Sequence, residues 1–196
     1  MSKYLNKGMT YIELIVVFSI FSTLAAVVLF NYGAFQGRID IKNLSNDLGL
    51  RIVQAQKYAM SGVMPNRSGL SSSWRPSYGM YMNLTTDNKS FIYFTDINQN
   101  GKADDTVCAG SGECLEKVLI TKSNYISSVK VYYSGNPTPT SINDLSVTFI
   151  RPSSTASFAS SVSLNSGISY VEITVSSPKA YTGIIKIYPS GKIDIN

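Results

Sequence analysis

Between residues 14 and 30 the chain carries no charged side chain, and extending that run back to Met9 admits only Glu13. No other feature restricts the fold as much. At 1.5 Å of rise per residue, about 20 apolar residues in a helix span a hydrocarbon core of roughly 30 Å. Lys3 and Lys7 precede the run, so the positive-inside rule leaves that end in the cytoplasm and the rest of the chain on the far side of the membrane. A secretory signal peptide also combines a basic start, an apolar stretch and small residues, here Thr23, Ala25 and Ala26. It is the weaker reading. The apolar run continues through residues 27–30 beyond any such cleavage point, and a carboxylate stands at its start.

That carboxylate is informative. An ionisable group at membrane depth costs at least about 2.5 kcal/mol on insertion scales and usually has a partner. No Lys or Arg follows within helical reach, so the economical source of a counter-ion is another chain or a newly made N-terminus. The alternative is a glutamate at the helix end that snorkels to the cytoplasmic interface.

The run Lys7-Gly8-Met9-Thr10-Tyr11-Ile12-Glu13-Leu14-Ile15-Val16-Val17 resembles the cleavage and N-methylation motif of type IV prepilins and type II secretion pseudopilins. The resemblance implies a leader over residues 1–8, removed by prepilin peptidase after Gly8, and Met9 as the methylated first residue. It further implies that the Glu13 carboxylate pairs with the N-terminal ammonium of a neighbouring subunit. Met9 departs from the phenylalanine common at the first mature position. A charge pair inside lipid is favourable relative to either charge alone, so it sets the axial register between subunits.

The helical pattern continues past the apolar run. Ile41, Leu44, Leu48, Ile52, Ala55 and Ala59 recur at three- and four-residue steps, with Asp40, Lys42, Asn43, Asp47, Arg51 and Lys57 on other faces. One helix from Met9 to about Ser61 is roughly 80 Å long, so its second half needs a domain on its apolar stripe. Gly33 and Gly37 predict a bend or a weak stretch, and Ser61, Gly62 and Pro65 predict the helix end. The organisation expected is a leader over 1–8, an assembly and membrane segment over 9–32, an amphipathic half over 33–62 and an extracytoplasmic β-rich domain over 63–196.

Beyond Pro65 short β-type runs alternate with turn residues, predicting strands over 78–83, 90–95, 116–120, 126–133, 145–150, 170–175, 184–189 and 192–195. Short connections imply mostly antiparallel pairing. The Ser/Ala-rich stretch 152–167 reads as a mobile loop. The fold class is therefore α+β, a long N-terminal helix packed on a mostly antiparallel β-sheet domain. That order of elements, with the pieces 147–152, 170–175 and 185–193, is similar to minor pseudopilins and minor pilins of the GspH/FimT-like class.

Asp96, Asn98, Asn100, Gly101 and Asp104 occupy the first, third, fifth, sixth and ninth places of a calcium loop, but Val107 stands where a bidentate glutamate belongs. The preferred reading is a β-hairpin with a tight turn at Asn100-Gly101 and solvated acidic residues; calcium is the competing one. Cys108 and Cys114, the chain's two cysteines, flank a short loop, and an extracytoplasmic location favours a disulfide between them. Trp74 reads as a core or domain-edge aromatic.

The absence of histidine excludes Ser-His-Asp, Cys-His and histidine-metal chemistry, and no other nucleophile has a visible base. The chain reads as a subunit, not an enzyme, and requires no cofactor. A net charge of +5, mild and dispersed, makes nucleic acid a minor expectation. Expected partners are other pilin or pseudopilin subunits, the peptidase and the bacterial inner membrane, in which the chain is a single-pass protein before entering a filament. The alternative keeps the anchor and makes the domain a pilus-tip module that binds DNA or a surface.

Overall fold

Helix α1 runs without interruption from Tyr11 to Ser61, through Gly33 and Gly37. The structure, a computed structural model, describes residues 8–66, 70, 73–108, 110 and 112–196. The leader expected over 1–8 therefore lies outside the described residues except for Gly8, and so do Lys3 and Lys7. Contacts divide the chain into two units, Met1–Ile39 and Asp40–Asn196.

In the first unit the apolar side chains of α1 face outward: Phe18, Phe21, Leu24, Val28 and Phe30 are all exposed. The hydroxyls within this stretch are satisfied by the helix itself. Ser19 Oγ donates to Val16 O at 2.8 Å and Thr23 Oγ1 to Ile20 O at 2.8 Å, so neither presents an unpaired donor on the apolar surface. The helix is long and apolar enough to cross a membrane.

In the second unit the same helix is amphipathic. Leu48, Ile52, Ala55 and Ala59 are fully buried, at the three- and four-residue steps that place side chains on one face. Leu44 is only half-buried, and Ser45 takes the deeper position with its hydroxyl donating to Ile41 O at 3.0 Å. Gly49 is buried because the Ile195 side chain occupies the place of its absent Cβ. The helix ends as expected. Gly62, at φ 74°, donates to Ala59 O, and Val63 N donates to Tyr58 O, both at 3.3 Å; this Schellman pair satisfies two terminal carbonyls through a residue that tolerates the left-handed conformation.

The remainder forms two five-stranded sheets. Its strands are β1 (Ser77–Asn83), β2 (Asp87–Thr95), β3 (Cys114–Leu119), β4 (Tyr125–Tyr133), β5 (Asn136–Ile142), β6 (Asp144–Ile150), β7 (Ala156–Ala159), β8 (Ile168–Ser176), β9 (Thr182–Ile187) and β10 (Ile193–Ile195). The first sheet has the order β3-β2-β1-β6-β7 and the second β10-β9-β8-β4-β5. Every pairing is antiparallel. Alternate residues of both sheets, among them Tyr78, Met80, Phe91, Val147, Phe149, Val129, Val131, Ile173 and Ile185, join Leu48, Ile52, Ala55 and Ala59 in one core. The fold is α+β.

Two expectations need correction. The stretch 152–167 is not wholly a loop: β7 lies within it and pairs with β6, setting Phe158 opposite Val147. β5 was not expected at all, since Pro137 and Pro139 break its pattern. It sits at the edge of its sheet, the position where a strand tolerates a missing N–H.

Polar clamps fix the helix to the sheets at points the apolar pattern does not specify. Gln56 Nε2 donates to Ser154 O at 2.9 Å and Gly191 O at 3.2 Å, and the Arg51 guanidinium donates to both oxygens of Glu116 at 2.9 and 3.3 Å. Two leucines two positions apart test the seam. Leu48→Ala is expected to lower unfolding stability by about 2–5 kcal/mol, whereas Leu50→Ala, at a site 65% exposed, changes it by less than about 0.5 kcal/mol. Denaturant unfolding followed by the fluorescence of Trp74, the single tryptophan, measures both.

Candidate functional site

Thr10 and Glu13 close on each other at the start of α1. Thr10 N and Thr10 Oγ1 both donate to Glu13 Oε2, at 2.8 and 2.9 Å, and Glu13 N donates back to Thr10 Oγ1 at 3.3 Å. This is a capping box, in which residues three apart satisfy each other's free amide groups. The pattern Thr-x-x-Glu is the sequence signal for it, and the counter-ion reading of Glu13 passes over it. Gly8 and Met9 lie just before the cap and are exposed.

The second candidate is the loop joining β2 to β3, which folds over the outer face of the first sheet. Ile92, Phe94 and Cys114 are buried there, with Tyr81 and Ala103 against them. Asp96 is only 2% exposed. Its Oδ1 accepts from Asn100 N at 3.1 Å and its Oδ2 from Gly101 N at 2.9 Å. Trp74 is buried, and its Nε1 donates to Asp96 O at 3.0 Å, so the tryptophan anchors this loop in the core.

Asn98, Asn100 and Asp104 converge: Asn98 Nδ2 and Asn100 Nδ2 both donate to Asp104 Oδ2, at 2.6 and 2.8 Å. The four residues of the calcium reading are thus in one loop. Glu113, which sequence reasoning missed, completes it. This carboxylate is 6% exposed; Oε1 accepts from Ile97 N at 3.0 Å and Oε2 from Asp104 N at 2.9 Å. The signal available was a glutamate next to Cys114, which is bridged to Cys108 with the Cα atoms 4.7 Å apart. The disulfide holds the segment that carries Glu113.

The tight two-residue hairpin expected at Asn100-Gly101 is replaced by a longer connection. β2 ends at Thr95 and β3 begins at Cys114, and the described left-handed residues between them are Gln99, Gly101 and Gly110. Nor is Asp96 solvated as expected; its carboxylate faces inward. Among the described residues no group of three or more His, Cys, Asp or Glu is arranged to hold a metal ion. The carboxylates of Asp96 and Glu113 accept hydrogen bonds from main-chain amides of the loop.

Burial pushes the Asp96 carboxyl up, against the downward pull of the Gly101, Asn100 and Gln99 amides and the Ser77 hydroxyl. Burial likewise raises Glu113, with the Asp104 and Ile97 amides opposing and the charges of Asp96 and Asp104 adding to the rise. An acid whose folded value is raised stabilises the fold when protonated, and that contribution is lost as pH rises through the raised value.

Comparison with known protein families, with curated proteins and with solved structures returns no match to this chain.

Two measurements test the loop. Wild-type stability is expected to fall as pH rises above 4.5, the ordinary glutamate value, and Glu113→Gln to show a shallower fall in pH-dependent denaturation midpoints. The melting temperature is expected to be the same in excess chelator and in excess calcium. A calcium-dependent rise that disappears in Asp104→Ala would assign the loop to the ion.

Proposed function

We propose that this chain is a minor pilin or pseudopilin subunit. In this reading prepilin peptidase cuts after Gly8, and Met9 becomes the methylated N-terminus. The first part of α1 then holds the subunit in the inner membrane, with the β domain outside the cytoplasm, until helix packing draws it into a filament. The observation that carries the reading is the outward-facing apolar stretch of α1, uncharged after Glu13 and continuous in one helix with a stripe that belongs to a folded core. A soluble domain buries such a surface; exposed patches of this size mark a membrane or a protein partner.

Glu13 has a defined part. Both Thr10 donors go to Oε2, so Oε1 is available to the N-terminal ammonium of an adjoining subunit, whose charge selects the axial position at which helices pack. The Cys108–Cys114 disulfide fits an oxidising compartment outside the cytoplasm.

Mass spectrometry of membrane-extracted protein tests the processing, and methylated Met9 is the N-terminus expected. A mature chain that begins elsewhere, or that keeps its leader inside working filaments, overturns the reading. Glu13→Ala is expected to insert normally but to enter filaments poorly, read as the ratio of filament-bound to membrane-bound subunit; an unchanged ratio removes the charge-register mechanism while leaving the anchor intact.

A further inference from the structure

The outer face of the first sheet is only partly covered by the β2–β3 loop. Beside that loop, between Thr106 on one side and the β1–β2 turn on the other, lies an open cleft of about 460 Å³. Its floor follows the pairing register, in which Lys117, Ile92 and Tyr81 stand side by side on β3, β2 and β1. Tyr81 is half-buried, and its hydroxyl accepts from Asn83 Nδ2 at 2.9 Å, which fixes one end of the ring. Asn83 Oδ1 in turn accepts from Thr85 N and Thr86 N at 2.9 and 3.0 Å, so the turn beside the ring is internally braced.

The size falls in the range of small-molecule clefts, and the lining narrows the chemistry. Asp87 and Lys117, the two charged side chains that line it, neutralise each other at 2.9 Å. A phosphate or other anion needs a cation that is not already paired. Purely apolar ligands favour a lining dominated by apolar groups, and here the hydroxyl and amide groups of Asn83, Thr86, Ser90 and Thr106 and the paired ionic groups of Asp87 and Lys117 surround Tyr81 and Ile92. What fits is a molecule without net charge that has one apolar face and many hydroxyls.

We propose that this cleft binds a neutral sugar unit of a glycan, the sugar's C–H face against the Tyr81 ring and its hydroxyls toward Thr86, Thr106 and Lys117. Tyrosine suits that contact because it joins an apolar body to a fixed polar tip. The disulfide-held loop supplies one wall already in place, so less ordering accompanies binding. The site is independent of filament assembly: a chain that binds sugar yet keeps its leader refutes the assembly reading and leaves this one standing.

The test uses the full chain in a detergent without a sugar headgroup, with end-labelled chitohexaose, cellohexaose and a short oligothymidylate as probes in fluorescence anisotropy. At least one oligosaccharide is expected to bind saturably below about 10 mM, with little change on raising salt. Tyr81→Ala weakens binding about tenfold or more, whereas Tyr81→Phe, which keeps the ring, stays within about threefold. Thr106→Trp, at an exposed rim position, obstructs the cleft without touching the core and abolishes binding; it carries the test alone if thermal melting shows that Tyr81→Ala does not fold. Failure of both oligosaccharides to bind overturns the proposal, as does undiminished binding by Thr106→Trp. Oligothymidylate binding at this cleft that falls steeply with salt reassigns it to nucleic acid and equally overturns the proposal.

Discussion

The structure depends on one seam, the contact of Leu48, Ile52, Ala55 and Ala59 with the inner faces of two sheets. Two of the four are alanines, and their small size lets the helix backbone lie close to the strands. Gly49 does the same toward Ile195. Close packing gains dispersion contacts that a looser interface forfeits, but it leaves no room for polar groups without partners. The polar residues at this contact are accordingly satisfied: Ser45 by Ile41 O, Gln56 by two main-chain carbonyls and Arg51 by Glu116. Tyr93 Oη is the exception among the described residues, buried without a hydrogen-bond partner.

A second layer of order lies on the other side of the first sheet. Phe94 and Ile92 turn away from the main core and would face water if the β2–β3 loop did not cover them. A loop that covers apolar surface must dispose of its own main-chain amides. Here two buried carboxylates take them up, Asp96 at one end and Glu113 at the other. Trp74 reaches the loop from before β1, and within the loop Cys108 is tied to Cys114 at the start of β3. The oxygen-rich spacing that suggests a cation loop also describes a chain segment that folds back on its own amides, because in both cases carboxylate and amide oxygens must face inward.

The long helix was legible because its signals are local and redundant: an uncharged run, then three- and four-residue apolar steps, then Gly62 at the stop. Most strands were legible for the same reason, through alternation in segments such as Tyr170–Val175 of β8. What escaped depends on partners distant in sequence. β7 has one strand-favouring residue, Phe158, among two alanines and a serine, too little to mark a strand until β6 is beside it. β5 contains two prolines, which argue against a strand unless its outer side is known to be free. Glu113 has no local pattern relating it to Ile97 or Asp104; only the folded loop brings them together. The capping box is a different kind of miss. Its pattern is local, but membrane logic drew attention to the charge of Glu13 and away from the geometry of its neighbour Thr10.

The two accounts of Glu13 need not compete, and magnitudes show why. A capping bond is worth about 1 kcal/mol, and a carboxylate in the first helical turn gains roughly 0.3–1 kcal/mol more from the helix dipole. Both are interactions with dipoles, and neither cancels a full charge. Holding the carboxylate at membrane depth costs at least about 2.5 kcal/mol on insertion scales, so the cap is too weak to settle it there alone, whereas at the interface the cap suffices and no partner is required. In the proposed assembly reading, an isolated subunit would therefore favour a position in which Glu13 stays near water, and displacement toward the apolar interior would become favourable only where a second chain offers a cation. The Thr10 bonds hold the carboxylate at the helix start, so in that reading depth in the bilayer is the variable that a neighbouring amine would change.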